Sequence, residues 1–135
     1  MAPHRETSHA GPGRPVPDWD LAAFTPAGGL RSTAPDLVRF LGANLDPGTS
    51  DLAVPLEDVH RPRRSIGAHE DVGLGWHLRE EGASTIAWHN GGTGGFGGFL
   101  AMLREHGAGV VVLYNSPPSP AVDAAGFGLL CDMFG

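Results

Sequence analysis

The segment that combines reactive side chains with unusual spacing is residues 88–98, WHNGGTGGFGG, which holds six glycines in eleven positions. Glycines at this density indicate that the backbone approaches another group closely. Gly92, Gly94 and Gly97 satisfy the pattern G-x-G-x-x-G, which binds the pyrophosphate of a dinucleotide when it joins a strand to a helix. The helix available for this, over residues 98–106, would be short. A tight glycine turn between two strands is the simpler interpretation, and both remain open at this point.

Histidines and serines outside this segment offer metal binding and nucleophilic attack. Four histidines could join His89 around a metal ion, but their spacings fit no compact helix or hairpin pair, so we expect them at the surface or partly packed. Ser32 lies in a helix-capping segment and Ser116 begins a Pro-rich turn, which favours capping and turn roles for both. We therefore predict no metal site. The four histidines are His60, His69, His77 and His106.

The sequence contains no lysine, and this excludes several kinds of chemistry within these residues. Schiff-base formation, a phosphate-loop lysine and a serine activated by lysine all need that side chain. The single cysteine, Cys131, excludes an internal disulfide and a Cys-based zinc site. On an apolar helix face, Cys131 is expected to be a small buried hydrophobic residue.

Charge and hydropathy narrow the class of protein further. The formal net charge of −6 argues against a protein that tracks nucleic-acid phosphates, because such a protein needs a basic face. The longest apolar run, Gly107–Tyr114, is too short to span a membrane, and the first residues lack the apolar stretch of a signal peptide. We expect a soluble chain with one modest core and, by default, a cytoplasmic location.

Two helices and a leader are predicted in the first half of the chain. Residues 1–20 mix Pro, Gly and both charge signs with one large apolar residue, Trp19, which predicts a flexible or extended leader. Capping residues before Pro35 and apolar residues at helical spacing predict a helix over 34–45. A second, shorter helix is expected at roughly 50–60, followed by a loop over 61–67.

The second half reads as strands closed by a helix. Short connections between β-rich runs predict an antiparallel sheet, and with the flanking helices the fold class is α+β. The predicted strands are Val72–Arg79, Ser84–His89, Phe99–Leu103 and Gly109–Asn115, and the last helix begins at Ser119-Pro120.

Four separated segments, in order and at matching spacing, resemble the closing half of the serine β-lactamase and penicillin-binding-protein-like hydrolases. The resemblance is to the class C branch, which includes D-alanyl-D-alanine carboxypeptidases and esterases, and it covers about residues 15–135. It implies the C-terminal part of a β-lactamase/transpeptidase-like fold, with residues 21–135 as that portion of the domain. The segments are PAGGLRSTAPD at 26–36, VGLGW at 72–76, HNGGTGGF at 89–96 and VVVLYN at 110–115.

The resemblance assigns roles to five consecutive residues. His89-Asn90-Gly91 is similar to the His-x-Gly variant of the family's Lys-Thr-Gly motif, which lines the active site opposite the nucleophile. Gly92 matches the position whose backbone N–H helps to form the oxyanion hole, so His89 and Gly92 are the catalytic candidates. All five residues, His89, Asn90, Gly91, Gly92 and Thr93, are substrate-binding candidates.

The family's Ser-x-x-Lys and Tyr-x-Asn elements lie upstream of every matched segment and have no counterpart here. The resemblance therefore implies the C-terminal portion of such an enzyme, inactive alone and needing no cofactor. It leaves a β-lactam, a D-Ala-D-Ala peptide or an ester as the substrate of the intact enzyme. The alternative is a non-catalytic module that captures a partner or self-associates through an uncovered sheet edge.

Overall fold

The computed structural model describes residues 7–11 and 13–134, which form one six-stranded sheet with helices on both faces. The strands follow one another across the sheet in chain order, and each pair of neighbours is antiparallel. The predicted α+β class with an antiparallel sheet is confirmed. The strands are β1 (Arg64–Gly67), β2 (Glu70–Val72), β3 (His77–Glu81), β4 (Ser84–Gly92), β5 (Gly97–Leu103) and β6 (Ala108–Tyr114).

The helices are α1 (Thr25–Gly28), α2 (Ala34–Leu45), α3 (Ala53–Val59) and α4 (Pro120–Asp132). The predicted helix 34–45 is confirmed at both ends. At its N-terminus, Thr33 Oγ1 accepts a hydrogen bond from the N–H of Asp36 (3.4 Å), and Pro35 occupies the first turn. No helix in the described part of the chain is long and apolar enough to cross a membrane.

The core is divided by the sheet into two layers. Side chains alternate along a strand, so Ile86 faces α4 while Ala87, its neighbour in β4, faces α2. On the α4 side, Ile86, Phe99 and Leu130 are fully buried. On the α2 side, the buried set is Leu41, Trp76, Leu78, Ala87 and Met102.

Two sequence predictions need correction, and one open alternative is excluded, while the predicted strand Phe99–Leu103 is confirmed within β5. The run Val72–Arg79 is not one strand, because Gly73–Trp76 forms a turn in which Gly75 has φ +77° and the N–H of Gly73 donates to the carbonyl of Trp76 (2.8 Å). Residues 64–67 form β1 rather than a loop. Residues 97–103 are a strand, which overturns the helix over 98–106 that the dinucleotide interpretation required.

Part of the predicted leader lies against the sheet's glycine loop. The backbone N–H of His9 donates to the carbonyl of Gly95 (3.2 Å), and the Ser8 hydroxyl donates to the carbonyl of Val16 (2.6 Å). Residues 1–6 and 12 of that leader fall outside the described residues, and the domain boundary near residue 20 stays a prediction.

Candidate functional site

The candidate site is the exposed end of β4. This strand pairs with β3 over its first half and with β5 over most of its length, so its position is fixed by hydrogen bonds on both sides there. Ile86 and Ala87 are 0% and 3% exposed, whereas every residue from His89 to Gly92 is exposed. The first half of β4 is therefore anchored in the core, and its second half is accessible from outside.

His89 has a second histidine as its neighbour. The ring centroid of His77 lies 5.8 Å from that of His89, and His77 also stacks on Trp88 with centroids 4.6 Å apart. A carboxylate oxygen of Glu70 lies 3.3 Å from Nδ1 of His77. The imidazole of His89 is therefore exposed while one of its sides faces the stacked rings of His77 and Trp88.

Asn90 is tied to the C-terminal helix. Its Nδ2 donates to an oxygen of Asp123 (2.6 Å), and Asp123 lies in the first turn of α4, where a carboxylate also interacts favourably with the helix dipole. The middle residue of the His-x-Gly segment thus connects β4 to α4, and it is a positioning contact within the described structure.

The two glycines that end β4 have different surroundings. A side chain at Gly91 would meet open space, whereas a Cβ at Gly92 would overlap the ring of Pro118. The loop after them is closed by the N–H of Thr93, which donates to the carbonyl of Phe96 (2.9 Å). Packing against Pro118 is therefore one physical reason for glycine at position 92.

The remaining glycines of the loop receive the N-terminal segment. A Cβ at Gly94 would lie 2.7 Å from the indole nitrogen of Trp19, and one at Gly95 would lie 2.5 Å from the backbone nitrogen of His9. The close approach that the glycine density predicts is thus made, at these two positions, by the protein's own chain rather than by a dinucleotide.

Two open grooves adjoin this end of the sheet. The strand-end groove, of about 180 Å³, runs beside Gly92 and Thr93. The outer groove, of about 640 Å³, continues from it past Gly94. The strand-end groove is also lined by Trp19, Leu21, Phe24, Ala27 and Gly28, and the outer groove by Val16, Pro17, Asp18, Trp19, Asp20 and Leu21.

The other candidate residues lie away from these grooves. His60 is half-buried with Nε2 2.9 Å from Oδ1 of Asn44, and burial, with Arg104 adding to it, lowers its pKa to about 4. Cys131 is partly buried against the α4-side core. Within residues 7–11 and 13–134, no three His, Cys, Asp or Glu side chains are grouped so that they could hold a metal ion.

Sequence reasoning did not find three residues that shape the site: Trp19, Phe24 and Asp123. Trp19 did stand out as the single large apolar residue of an otherwise polar leader. Phe24 and Asp123 gave no such signal, because their relation to β4 comes from contacts between residues far apart in the chain.

Comparisons with known proteins agree with the fold described above. A class C β-lactamase from Rhodobacter sphaeroides superimposes with a TM-score of 0.83 at 18% identity, covering 96% of this chain and 46% of that one. A second class C β-lactamase gives 0.82 at 18% identity over 96% of this chain and 43% of the other. A Homo sapiens protein named as beta-lactamase-like 1 is 27% identical over 118 residues, which is 84% of this chain and 24% of that protein.

The chain thus spans about a quarter of the human relative and less than half of each of these solved structures. At such low identity the superpositions establish the fold alone. The family model named Beta-lactamase, however, matches residues 2–130, which is nearly the whole sequence. This chain therefore belongs to the beta-lactamase family.

Proposed function

We propose that this chain supplies the substrate-binding strand and an oxyanion donor to a serine acyl-transfer site. The observation that carries the proposal is the exposed end of β4, where His89, Asn90, Gly91 and Gly92 follow the buried Ile86 and Ala87 and border an open groove. The family match adds support, since the same segment carries the motif resemblance.

The reaction follows from what such a site must do. A serine Oγ attacks the substrate carbonyl carbon, and the tetrahedral oxyanion is stabilised by fixed N–H donors, among them that of Gly92. The bond from that carbon to the leaving oxygen or nitrogen breaks, and the leaving group takes a proton. Water then hydrolyses the acyl-serine to the carboxylic acid and frees the serine. The His89 imidazole binds the substrate or takes part in moving these protons.

The nucleophile of this reaction is proposed to come from outside these residues. Family enzymes activate the serine through lysine, and this sequence has no lysine. Nucleophile and base act as a unit, so a chain without them should give no hydrolysis above background. Ser116 is exposed in the Pro-rich turn after β6, and in the absence of a lysine nothing of the family's kind would activate it.

Two measurements test this proposal together. An antibody raised against the chain sizes the native product in its source cell, and the purified chain is treated with a fluorophosphonate probe and a chromogenic cephalosporin. We expect a native species or complex larger than 14.1 kDa, and a purified chain that is neither labelled nor active. A native product of 14.1 kDa with no partner, or a labelled serine in the purified chain, would refute the proposal.

A second candidate function rests on β6. This seven-residue strand ends the sheet, carries no charged residue and includes the run Val110-Val111-Val112-Leu113. Uncharged edge strands readily pair with another strand. If pairing with a second copy is the function, light scattering will show a dimer that Leu113→Lys, a change at an exposed position of β6, converts to a monomer. A stable wild-type monomer would remove this alternative.

A further inference from the structure

The candidate oxyanion donor lies on backbone that β3 does not support. The pairing of β4 with β3 ends at Trp88, whereas its pairing with β5 continues to Gly92. The N–H of Thr93 donates to the carbonyl of Phe96, so that pair is hydrogen-bonded. Because hydrogen-bonded and non-hydrogen-bonded pairs alternate along an antiparallel ladder, the N–H of Gly92 is directed away from β5, towards the open side of β4.

This end of β4 is flexible by composition. Gly91 and Gly92 are consecutive, and a glycine backbone has more conformational freedom than that of any other residue. An oxyanion donor is effective because its direction is fixed before the charge develops. Other residues must therefore hold the backbone at Gly92.

Two side chains cover this backbone in a row that crosses three strands. Gly92, Gly97 and Tyr114 are directly opposite one another in β4, β5 and β6. The ring of Tyr114 lies against Gly97, where a Cβ would overlap it, and the ring of Pro118 lies against Gly92 in the same way. The two glycines thus allow both rings to pack directly on the backbone of the row.

The connection between β6 and α4, residues 115–119, is stiff and is held at both ends. Two of its five residues are prolines, whose φ angle is fixed. At its end, the N–H of Ser119 donates to the hydroxyl of Tyr114 (3.2 Å). In the first turn of α4, Asp123 accepts the hydrogen bond from Nδ2 of Asn90 (2.6 Å). A rigid segment is therefore fastened beside the flexible end of β4.

We infer that Tyr114, Pro118 and Asp123 are positioning residues that fix the direction of the candidate oxyanion donor. The Tyr114 hydroxyl holds the connection in place, and the Pro118 ring then limits the movement of Gly92. Asp123 holds β4 two residues before that glycine. All three act through the backbone of β4 rather than on the substrate. The inference rests on the proposed function, because it concerns the donor of the same site.

The test measures the order of the Gly92 N–H by 15N relaxation of the labelled 135-residue chain. In the wild type we expect an order parameter of about 0.85, which is typical of rigid backbone, and in Tyr114→Phe a fall towards about 0.6. This change keeps the ring over Gly97 but removes the acceptor of the Ser119 N–H. Pro118→Ala, which removes most of the ring against Gly92, should give the same fall.

Matched variants of α4 test the contact with Asn90. Asp123→Ala removes the acceptor of the Asn90 amide and should lower the order of the Gly92 N–H, whereas Asp132→Ala, at the other end of the helix, should leave it unchanged. Gly98, in the middle of the sheet, is the internal control for a general loosening of the fold.

Three results would overturn the inference. The first is a Gly92 order parameter that is unchanged in Tyr114→Phe or in Pro118→Ala. The second is an equal fall in Asp132→Ala and Asp123→Ala. The third is a fall at Gly98 as large as that at Gly92, which would show that the variants loosen the sheet rather than the donor.

Labelling of the native protein separates this inference from the proposed function. Tyr114→Phe should lower the maximal rate of fluorophosphonate labelling at least threefold and leave the half-saturating probe concentration unchanged, because the donor acts in the transition state. Loss of Gly92 order without any labelled native species contradicts only the acyl-transfer proposal. A labelled native species in which neither Gly92 order nor labelling rate responds to Tyr114→Phe contradicts only this inference.

Discussion

The two halves of β4 belong to one continuous strand, but the first half contains buried residues and the second half is exposed. Its first half places Ile86 and Ala87 in the two core layers, where both are buried. Its second half, from His89 to Gly92, is exposed beside an open groove. One strand thus separates core packing from the proposed chemistry along its length, so substitutions in the two halves should have separable effects.

The largest expected difference is between Ile86 and His89. Ile86→Ala removes a fully buried side chain and should lower the free energy of unfolding by about 4 kcal/mol. His89→Ala removes an exposed one and should change it by less than about 0.5 kcal/mol. Urea denaturation measures the free energy of unfolding of both variants. Equal decreases in this free energy would contradict the distinction between the two halves of β4.

Two glycines of α4 test how that helix supports the exposed half. A Cβ at Gly126 would lie 2.5 Å from the ring of Phe99, which is the cross-strand partner of Asn90, whereas Gly128 has open space. Gly126→Ala should destabilise the protein by about 2 to 3 kcal/mol through overpacking. Gly128→Ala should stabilise it by up to about 1 kcal/mol. Thermal unfolding of the pair measures both, and equal effects would contradict this packing.

His60 makes the buried half sensitive to pH. Its ring lies 5.1 Å from that of Trp76, in the layer that covers Ala87. Its pKa is lowered from 6.5 to about 4, mainly by burial, so between these values the unfolded chain binds more protons. The stability due to the neutral ring is complete above pH 6.5 and is lost as the pH falls towards 4.

Because the ring is half-buried and solvent screens it, we expect this loss to be about 2 kcal/mol. His60→Gln keeps a donor for Asn44 but does not titrate in this range. The difference in unfolding free energy between the wild type and this variant should therefore change between pH 6.5 and 4. A constant difference across that window would show that His60 is not held neutral in the fold.

Neighbouring glycines give the smallest contrast, within the exposed half itself. Gly92→Ala should cost about 1 kcal/mol, because its Cβ overlaps Pro118, while Gly91→Ala should be nearly neutral. Adding Pro118→Ala, which removes most of the overlapping ring, should restore much of the loss. If Pro118→Ala does not reduce the destabilisation caused by Gly92→Ala, the overlap with Pro118 is not the reason for glycine at position 92.

The sequence predicts the fold best where local signals agree. The helix over 34–45 has a cap, an early proline and a regular apolar stripe, and its bounds are confirmed. Strand β1 escaped prediction because all four of its residues are exposed, so they show no alternation of buried and exposed positions. The run 72–79 contains enough β-formers for one strand, but a turn at Gly75, which has φ +77°, separates it into two.

The candidate site, like the fold, is predictable from the sequence only in part. The segment His89–Thr93 is visible in the sequence because consecutive residues carry the motif. The groove walls come from Trp19 and Phe24, and the acidic neighbour of Asn90 comes from Asp123, more than thirty residues along the chain. These contacts arise from the antiparallel meander and the packing of α4, which no local pattern specifies.

The most direct test of the central claim follows fluorophosphonate labelling of the native protein in extracts of its source cell. We expect the label on a serine outside residues 1–135, either on a longer chain that contains this sequence or on a partner that the antibody co-purifies. His89→Ala should slow labelling at least tenfold, while Gly128→Ala, remote from the grooves, should leave the rate unchanged. Labelling that is unaffected by His89→Ala, or a label within the 135 residues themselves, would contradict the account.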